Sequence, residues 1–326
     1  MAACLLACGC GGADAEPSVP ILQGEPILQG QPITDGTHGM AGEKESLEEG
    51  AMKDNFTEEN LGQEVAETAG EAAMPAVIRD EGDTLETRIL APYGYERVSL
   101  EEGSFGEFLR QYPMKPAGSK VHLYDGSEKG SQRAHVAVFD LPIEEYDLQQ
   151  CADSVMRIYA EYFWATEQYD RIKFHFTNGF LAEYGKWRDG NRVSVHGNNV
   201  SWIKSKSRDD SYECFTKYLK TIFIYAGTLS MEKESEATTL SKLKAGDVFL
   251  YGGSPGHVVM VADVCENEKG EKAFLLAQGY MPAQEFHLLK NDRHPEDPWY
   301  YEEEVTYPFS TPEYTFDEGS LRSLNY

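Results

Sequence analysis

The chain has 326 residues, 41% of them apolar and 12% aromatic, enough for one large hydrophobic core or two small ones. Its formal charge of −26 would repel phosphates and excludes nucleic acid as a partner class. No run of about 18 or more apolar residues occurs, so no internal segment reads as a membrane-spanning helix.

The elements follow in chain order. Met1 to Cys10 reads as the end of a secretory leader, assigned to residues 1–12. Within it, Leu5-Leu6-Ala7-Cys8 resembles a bacterial lipobox, in which the cysteine becomes the first mature residue and carries lipid. A lipid anchor at Cys8, a membrane partner and a location in the bacterial envelope are the expectations it carries. Residues 13–84 hold 17 acidic and 3 basic side chains, a net of −14, which leaves −12 for residues 85–326. The motif Pro20-Ile-Leu-Gln-Gly24 recurs as Pro26-Ile-Leu-Gln-Gly30, too short a repeat for a solenoid. Low apolar content and self-repulsion predict a disordered acidic linker over 13–84.

A single globular domain is expected over 85–312, followed by a loose polar tail over 313–326. Thr87 to Val98 reads as a strand broken by a Pro/Gly turn, and Ser104 to Tyr112 as a short helix capped by Ser104. Val121 to Tyr124, ending at Asp125-Gly126, and His135 to Leu141 read as strands. The spacing predicts a long helix over 148–164 with Asp147 as its cap and Cys151 in its first turn. Arg171 to Phe176 alternates as a half-buried strand, and a second helix is predicted over 211–227. Val248 to Tyr251 is a strand before the turn Gly252-Gly253-Ser254-Pro255-Gly256. Val258 to Val264 and Lys272 to Gln278 form a hairpin about Asn267–Gly270. Helices first and an antiparallel hairpin later give an α+β class, with a helix packed on an antiparallel sheet.

The chemistry rests on one cysteine and one histidine. Cys4, Cys8 and Cys10 belong to the leader. Cys151, Cys214 and Cys265 leave an odd number without CxxC spacing, so no disulfide framework, metal site or cofactor is expected. A thiol attacks a carbonyl as thiolate, which a helix N-terminus and an imidazolium both favour. Cys151 has the first; His257, delivered onto a strand by the Gly-rich turn, supplies the second. Gln150, just upstream of Cys151, is the expected oxyanion donor. Strand parity places Gln278 or Tyr280 beside His257, and Gln278 is expected to orient the ring through its amide oxygen. Asp263 lies six residues along the strand from His257, roughly 20 Å at ~3.3 Å per residue, too far to reach that imidazole.

Other readings stand beside this one. Cys151 falls on the apolar face of its helix, where a free cysteine also serves as simple core. Cys214 lies near a helix start but has no Gln or Asn oxyanion candidate beside it. Trp187, Arg192 and Trp202, in the Gly/Asn-rich stretch 178–202, together with Tyr280, suit a non-catalytic glycan- or peptide-binding module. His175 and His196 lack metal-ligand spacing.

A helix-start cysteine followed about a hundred residues later by a strand-start histidine resembles the order of papain-like thiol hydrolases. Five segments together resemble the bacterial family known as domain of unknown function 4846. They are Asp147-Leu-Gln-Gln-Cys-Ala-Asp153, Ile172-Lys-Phe-His-Phe-Thr-Asn-Gly179, Gly246-Asp-Val-Phe249, Gly252-Gly-Ser-Pro-Gly-His257 and Leu275-Leu-Ala-Gln-Gly-Tyr-Met-Pro-Ala-Gln284. That resemblance, over about residues 87–310, implies a secreted or lipid-anchored envelope protein and no particular reaction. Residues 246–263 also resemble the Gly-Asp-strand, Gly-His-strand signature of NlpC-type cell-wall peptidases, which implies a cysteine-dependent amidase or peptidase. The Asp-Cys-Ser opening of that family is absent here.

Overall fold

The longest of the described strands, His257–Asn267, is buried over its first nine residues and organises the sheet around it. The computed structural model describes residues 76–326. The leader, the lipobox Cys8 and nearly all of the acidic segment 13–84 lie outside the described residues.

The helices are α1 (Leu85–Arg88), α2 (Phe105–Arg110), α3 (Cys151–Ala165), α4 (Tyr184–Arg188), α5 (Tyr212–Tyr225) and α6 (Thr228–Lys233). The strands begin with β1 (Tyr95–Arg97), β2 (His135–Val138), β3 (Lys173–His175), β4 (Leu181–Glu183), β5 (Asn191–His196), β6 (Asn199–Lys204) and β7 (Ser235–Ala237). They continue with β8 (Val248–Tyr251), β9 (His257–Asn267), β10 (Lys272–Gln278), β11 (His287–Leu289) and β12 (Tyr300–Tyr301), and end with β13 (Phe309–Ser310), β14 (Thr315–Phe316) and β15 (Leu321–Leu324).

Nine of these strands make one antiparallel sheet in the order β2-β11-β10-β9-β8-β15-β7, with β1 also on β9 and β12 also on β10. The fold is therefore mixed α and β, built on a large antiparallel sheet. The β9–β10 hairpin closes at Asn267–Gly270, where Asn267 Oδ1 accepts the Lys269 and Glu271 N–H groups and Gly270 takes φ +82°.

Both faces of the sheet are covered, which explains why β9 reads as a nearly continuous apolar run rather than an alternation. Val258, Met260 and Ala262 face a cluster containing α3 and α5 residues. Val259, Val261 and Val264 face a second cluster that includes Phe309, Phe316 and Leu321. The parity breaks because Leu275 pairs with Asp263 and Leu276 with Val261, leaving Ala262 as the extra residue of a bulge.

Helix α3 is buried on all sides from Cys151 to Ala160, more than a one-faced amphipathic pattern implies. Besides the sheet, α2 covers it, with Phe105 stacked on Tyr159 at 3.9 Å between ring centres. So does α5, where Phe215 stacks on Trp164 at 5.8 Å.

Three expectations are corrected. Thr87 to Arg88 belongs to a short helix, not a strand, because Thr84 and Thr87 cap each other's backbone at its start. Val121 to Tyr124 forms only isolated bridges at His122 and Leu123. The segment 313–326 is not a loose tail: it carries β14 and β15, and β15 zips between β8 and β7.

Candidate active site

The start of α3 is tied down by its own residues and by the end of β10. Asp147 does not cap the helix. Its carboxylate accepts the Ala283 N–H at 2.7 Å and the Gln150 side-chain amide at 3.0 Å, while the Gln150 N–H donates to Asp153 at 3.1 Å. Gly279 lets the strand end press against this helix mouth. A Cβ there would sit 2.4 Å from Ser154 Oγ and 3.0 Å from the Gln150 carbonyl oxygen. Cys151 is thereby set near the beginning of β9, where the Val258 N–H, one residue beyond His257, favours its thiolate form.

His257 is 3% exposed and its Nε2 donates to Gln278 Oε1 at 2.8 Å. Continuing the register from Ala277 opposite Met260 puts Tyr280 across from His257 and Gln278 diagonal to it. Gln278, read from parity as the neighbour of His257, is the residue that contacts its ring. The Gln278 amide cannot flip freely, because its Nε2 donates to the Glu313 carboxylate at 2.8 Å. Glu313 is held by Lys129 at 2.5 Å. The His287 ring closes the far side, 3.5 Å from the same amide nitrogen. Since a carboxylate only accepts, the amide oxygen must face His257, whose proton sits on Nε2, and Nδ1 keeps its lone pair.

The thiol and the imidazole share a roof. Tyr280 and Tyr314 each lie 4.8 Å from the His257 ring, centre to centre, and both phenols are near enough to Cys151 that an ionised sulfur would disfavour their own ionisation. Phe316 stacks beyond at 6.1 Å. Burial dominates the electrostatics. It pushes the Cys151 thiol up to about 11, with the Asp153 carboxylate adding to it and the N–H groups of Ala152, Val258 and Cys151 opposing. Burial also presses His257 down to about 4, against the pull of Gln278. Moving the proton from that thiol to that imidazole costs on the order of 10 kcal/mol. A contact ion pair returns only about 4 kcal/mol at an effective dielectric of ~20. The resting pair is neutral.

The depressed His257 value has a consequence for stability. Unfolded, the ring titrates near 6.5; folded, near 4. The unfolded state therefore binds more protons between those values, so this contribution is complete above pH ~6.5 and is lost as pH falls toward ~4. Burial alone would raise Glu313, but its neighbours His287 and Lys129 bring it down to about 2, so it stays ionised throughout that window. We expect urea-unfolding free energy to drop from pH 7 to pH 5, and the drop to be smaller by about 1–2 kcal/mol in His257→Phe. Equal pH slopes for the two proteins would contradict the buried neutral imidazole.

The remaining sequence candidates fall elsewhere. The Gln150 side chain is committed to Asp147, so the N–H groups near the sulfur are backbone ones, not the expected side-chain amide. Cys214 and Cys265 are free, buried and raised by burial. Trp187 is only 6% exposed and its indole N–H donates to the Cys214 carbonyl, so it is a core residue and offers no open platform. Arg192 lies over the Trp187 ring at 4.2 Å and bonds the Trp187 carbonyl. Trp202 pairs with Val193 across β5–β6 and packs on Phe180. None of the three touches the Cys151 site, whereas Tyr280 roofs it.

Sequence reasoning missed Glu313, Tyr314, Lys129 and His287. The aromatic alternation Tyr314-Thr315-Phe316 was the available signal for a strand there. Among the described residues no cluster of three or more His, Cys, Asp or Glu is placed to hold a metal ion. Nor is any helix there long and apolar enough to cross a membrane.

No curated protein and no solved structure matches the chain. One family model does, over residues 85–323, which takes in the nine-stranded sheet up to Ser323, α3, and the residues Cys151, His257, Gln278 and Glu313. The chain belongs to the family described as domain of unknown function 4846.

Proposed function

We propose that the domain is a thiol hydrolase acting on amide bonds, with Cys151 as nucleophile, His257 as general base and Gln278 as the residue that fixes the imidazole tautomer. What supports this reading is a helix-mouth thiol facing the Val258 N–H, one residue along the strand from an imidazole whose Nε2 proton is committed to an amide oxygen. A thiol-bearing helix on a large antiparallel sheet that carries the histidine supports reading the frame as papain-like. The NlpC-like segment 246–263 favours cell-wall peptides among amide substrates.

Because the resting pair is neutral, attack is general-base catalysed rather than launched from a preformed thiolate. As the sulfur bonds to the carbonyl carbon, its proton passes to His257 Nδ1 and the carbonyl π electrons move to oxygen. The backbone N–H groups of Cys151 and Ala152 at the helix mouth stabilise that oxyanion. Collapse expels the amine, which takes the proton from His257 and leaves a thioester on Cys151. Water, deprotonated by His257, then releases the acid. Cys151 is 9% exposed, so a substrate must turn Tyr280 or Tyr314 aside to reach it.

Acylation by p-nitrophenyl acetate tests this without a known substrate. A nitrophenolate burst and an acetyl group mapped by mass spectrometry to Cys151 are expected. Cys151→Ala should abolish both, and His257→Ala should slow them by about 10²-fold or more. The rate should be level between pH ~5 and ~9, since Nδ1 is free to accept above about 4 and the thiol is neutral below about 11. Acetyl found on Cys214 or Cys265 instead, or on no cysteine, sinks the assignment.

A further inference from the structure

A second recess lies apart from the residues of the Cys151 site. It is a cleft of about 700 Å³ lined by the start of β3, the end of α6 and the segment Asn325–Tyr326. That volume falls within the range of small-molecule sites. Its floor is apolar and aromatic, with Phe176, Leu181 and Tyr326. Its rim is cationic: Arg171, Lys173 and Lys233 all line it and all are exposed.

The charge balance of this cleft runs against the rest of the protein. The sequence carries 55 acidic against 29 basic residues, yet only one acidic side chain, Glu234, lines the recess. Glu234 is already engaged from the inside. Its Oε1 takes the His175 N–H at 3.0 Å and the His175 ring nitrogen Nδ1 at 2.6 Å. The cross-strand neighbour of Lys173 is Glu183, and that carboxylate pairs with Lys186 instead. Among the described residues, Lys173 and Lys233 make no ion pair or hydrogen bond to a carboxylate. Arg171 is pre-set rather than free: its guanidinium lies 4.4 Å over the Phe163 ring and donates to the main-chain oxygen of Tyr326 at 2.6 Å.

Two unpaired ammonium groups and an anchored guanidinium over an apolar floor form a site for negative charge borne on an organic body. In an acidic protein such a concentration of one sign focuses the field into the cleft, and charge-assisted bonds from it are the strong kind. We propose that this cleft is a binding site for a small organic polyanion, its carboxylate or phosphate groups held by Lys173, Lys233 and Arg171 and its apolar part seated on Phe176, Leu181 and Tyr326. The inference does not rest on the thiol-hydrolase reading, because no residue is common to the two sites.

The test uses the full chain and two probes, citrate for the carboxylate source and inorganic pyrophosphate for the phosphate source, followed by calorimetric titration. At least one is expected to bind with a Kd of about 1 mM or tighter at low ionic strength, weakening as salt is added. The double variant Lys173→Glu/Lys233→Glu should weaken that binding about tenfold or more. The charge-matched variant Lys206→Glu/Lys242→Glu, at exposed lysines outside the cleft, should change it less than about twofold. Which probe binds identifies the acid group preferred. Absence of binding by both probes at about 10 mM, or equal weakening in the two double variants, overturns the proposal.

Discussion

Asp263→Ala is expected to destabilise the domain by about 3–5 kcal/mol, the largest effect of any single charge removal in the described residues. The carboxylate is fully buried and serves two guanidinium groups at once: Arg97 Nε donates to Oδ2 at 2.6 Å and Arg110 Nε to Oδ1 at 2.8 Å. Oδ1 also accepts the Val264 N–H at 2.9 Å. Removing the carboxylate strands two nearly buried cations whose remaining hydrogen-bond partners are carbonyls, Ile89 for Arg97 and Val264 for Arg110. It also frees β1 and α2, which the two arginines tie to β9. Urea unfolding by far-UV circular dichroism measures the loss, and Glu128→Ala is the control. Its pair with Lys120 is more than half exposed on both sides, so that change should stay within about 1 kcal/mol. A loss below about 1 kcal/mol in Asp263→Ala would show that the triad is solvated rather than buried.

This triad marks where sequence reading reached its limit. That Asp263 lies too far from His257 to orient it followed from strand spacing alone, and it held. What Asp263 does instead was not readable, because its partners stand 166 and 153 residues away in the chain and no local pattern links them. The β9–β10 hairpin was legible because Asn267–Gly270 and the apolar runs beside it are local signals. The pairing of His257 with Gln278 was legible for the same reason: both lie on that hairpin. The start of α3 was read three residues early, at Leu148, because Asp147 resembles a cap while its carboxylate is in fact drawn away by the Ala283 N–H. The polar composition of residues 313–326 suggested a tail. Their aromatic alternation, which mattered more, brings Glu313 and Tyr314 into the site. A carboxylate 35 residues from the glutamine it fixes leaves no periodic trace.

The Glu313 contact explains why the residue bonded to His257 is an amide, and it sets the second large effect. The side chain at position 278 lies between an imidazole N–H and an ionised carboxylate. A carboxylate there would meet Glu313 as a like charge, and a hydroxyl is too short to span both. Glutamine offers an acceptor to one side and a donor to the other, so the charge on Glu313 is converted, through one rigid amide, into a fixed tautomer of His257. Gln278→Leu keeps the volume and removes both contacts. His257 can then place its proton on Nδ1, where it blocks proton acceptance from Cys151. The expected result is a fall of about 10²-fold in Cys151 acylation, within the 10²–10⁴ that loss of a tautomer-fixing partner costs. Nitrogen-15 NMR of His257 should change from a pure Nε2–H form to a mixture. Glu313→Gln alone should give a smaller loss, because Gln278 then keeps a neutral partner and its amide is free to flip in part of the population. In the Gln278→Leu background the same change should add less than about twofold, since the two residues act through one amide. Additive losses would mean that Glu313 acts on the site by another route, and an unchanged tautomer in Gln278→Leu would remove glutamine from the mechanism.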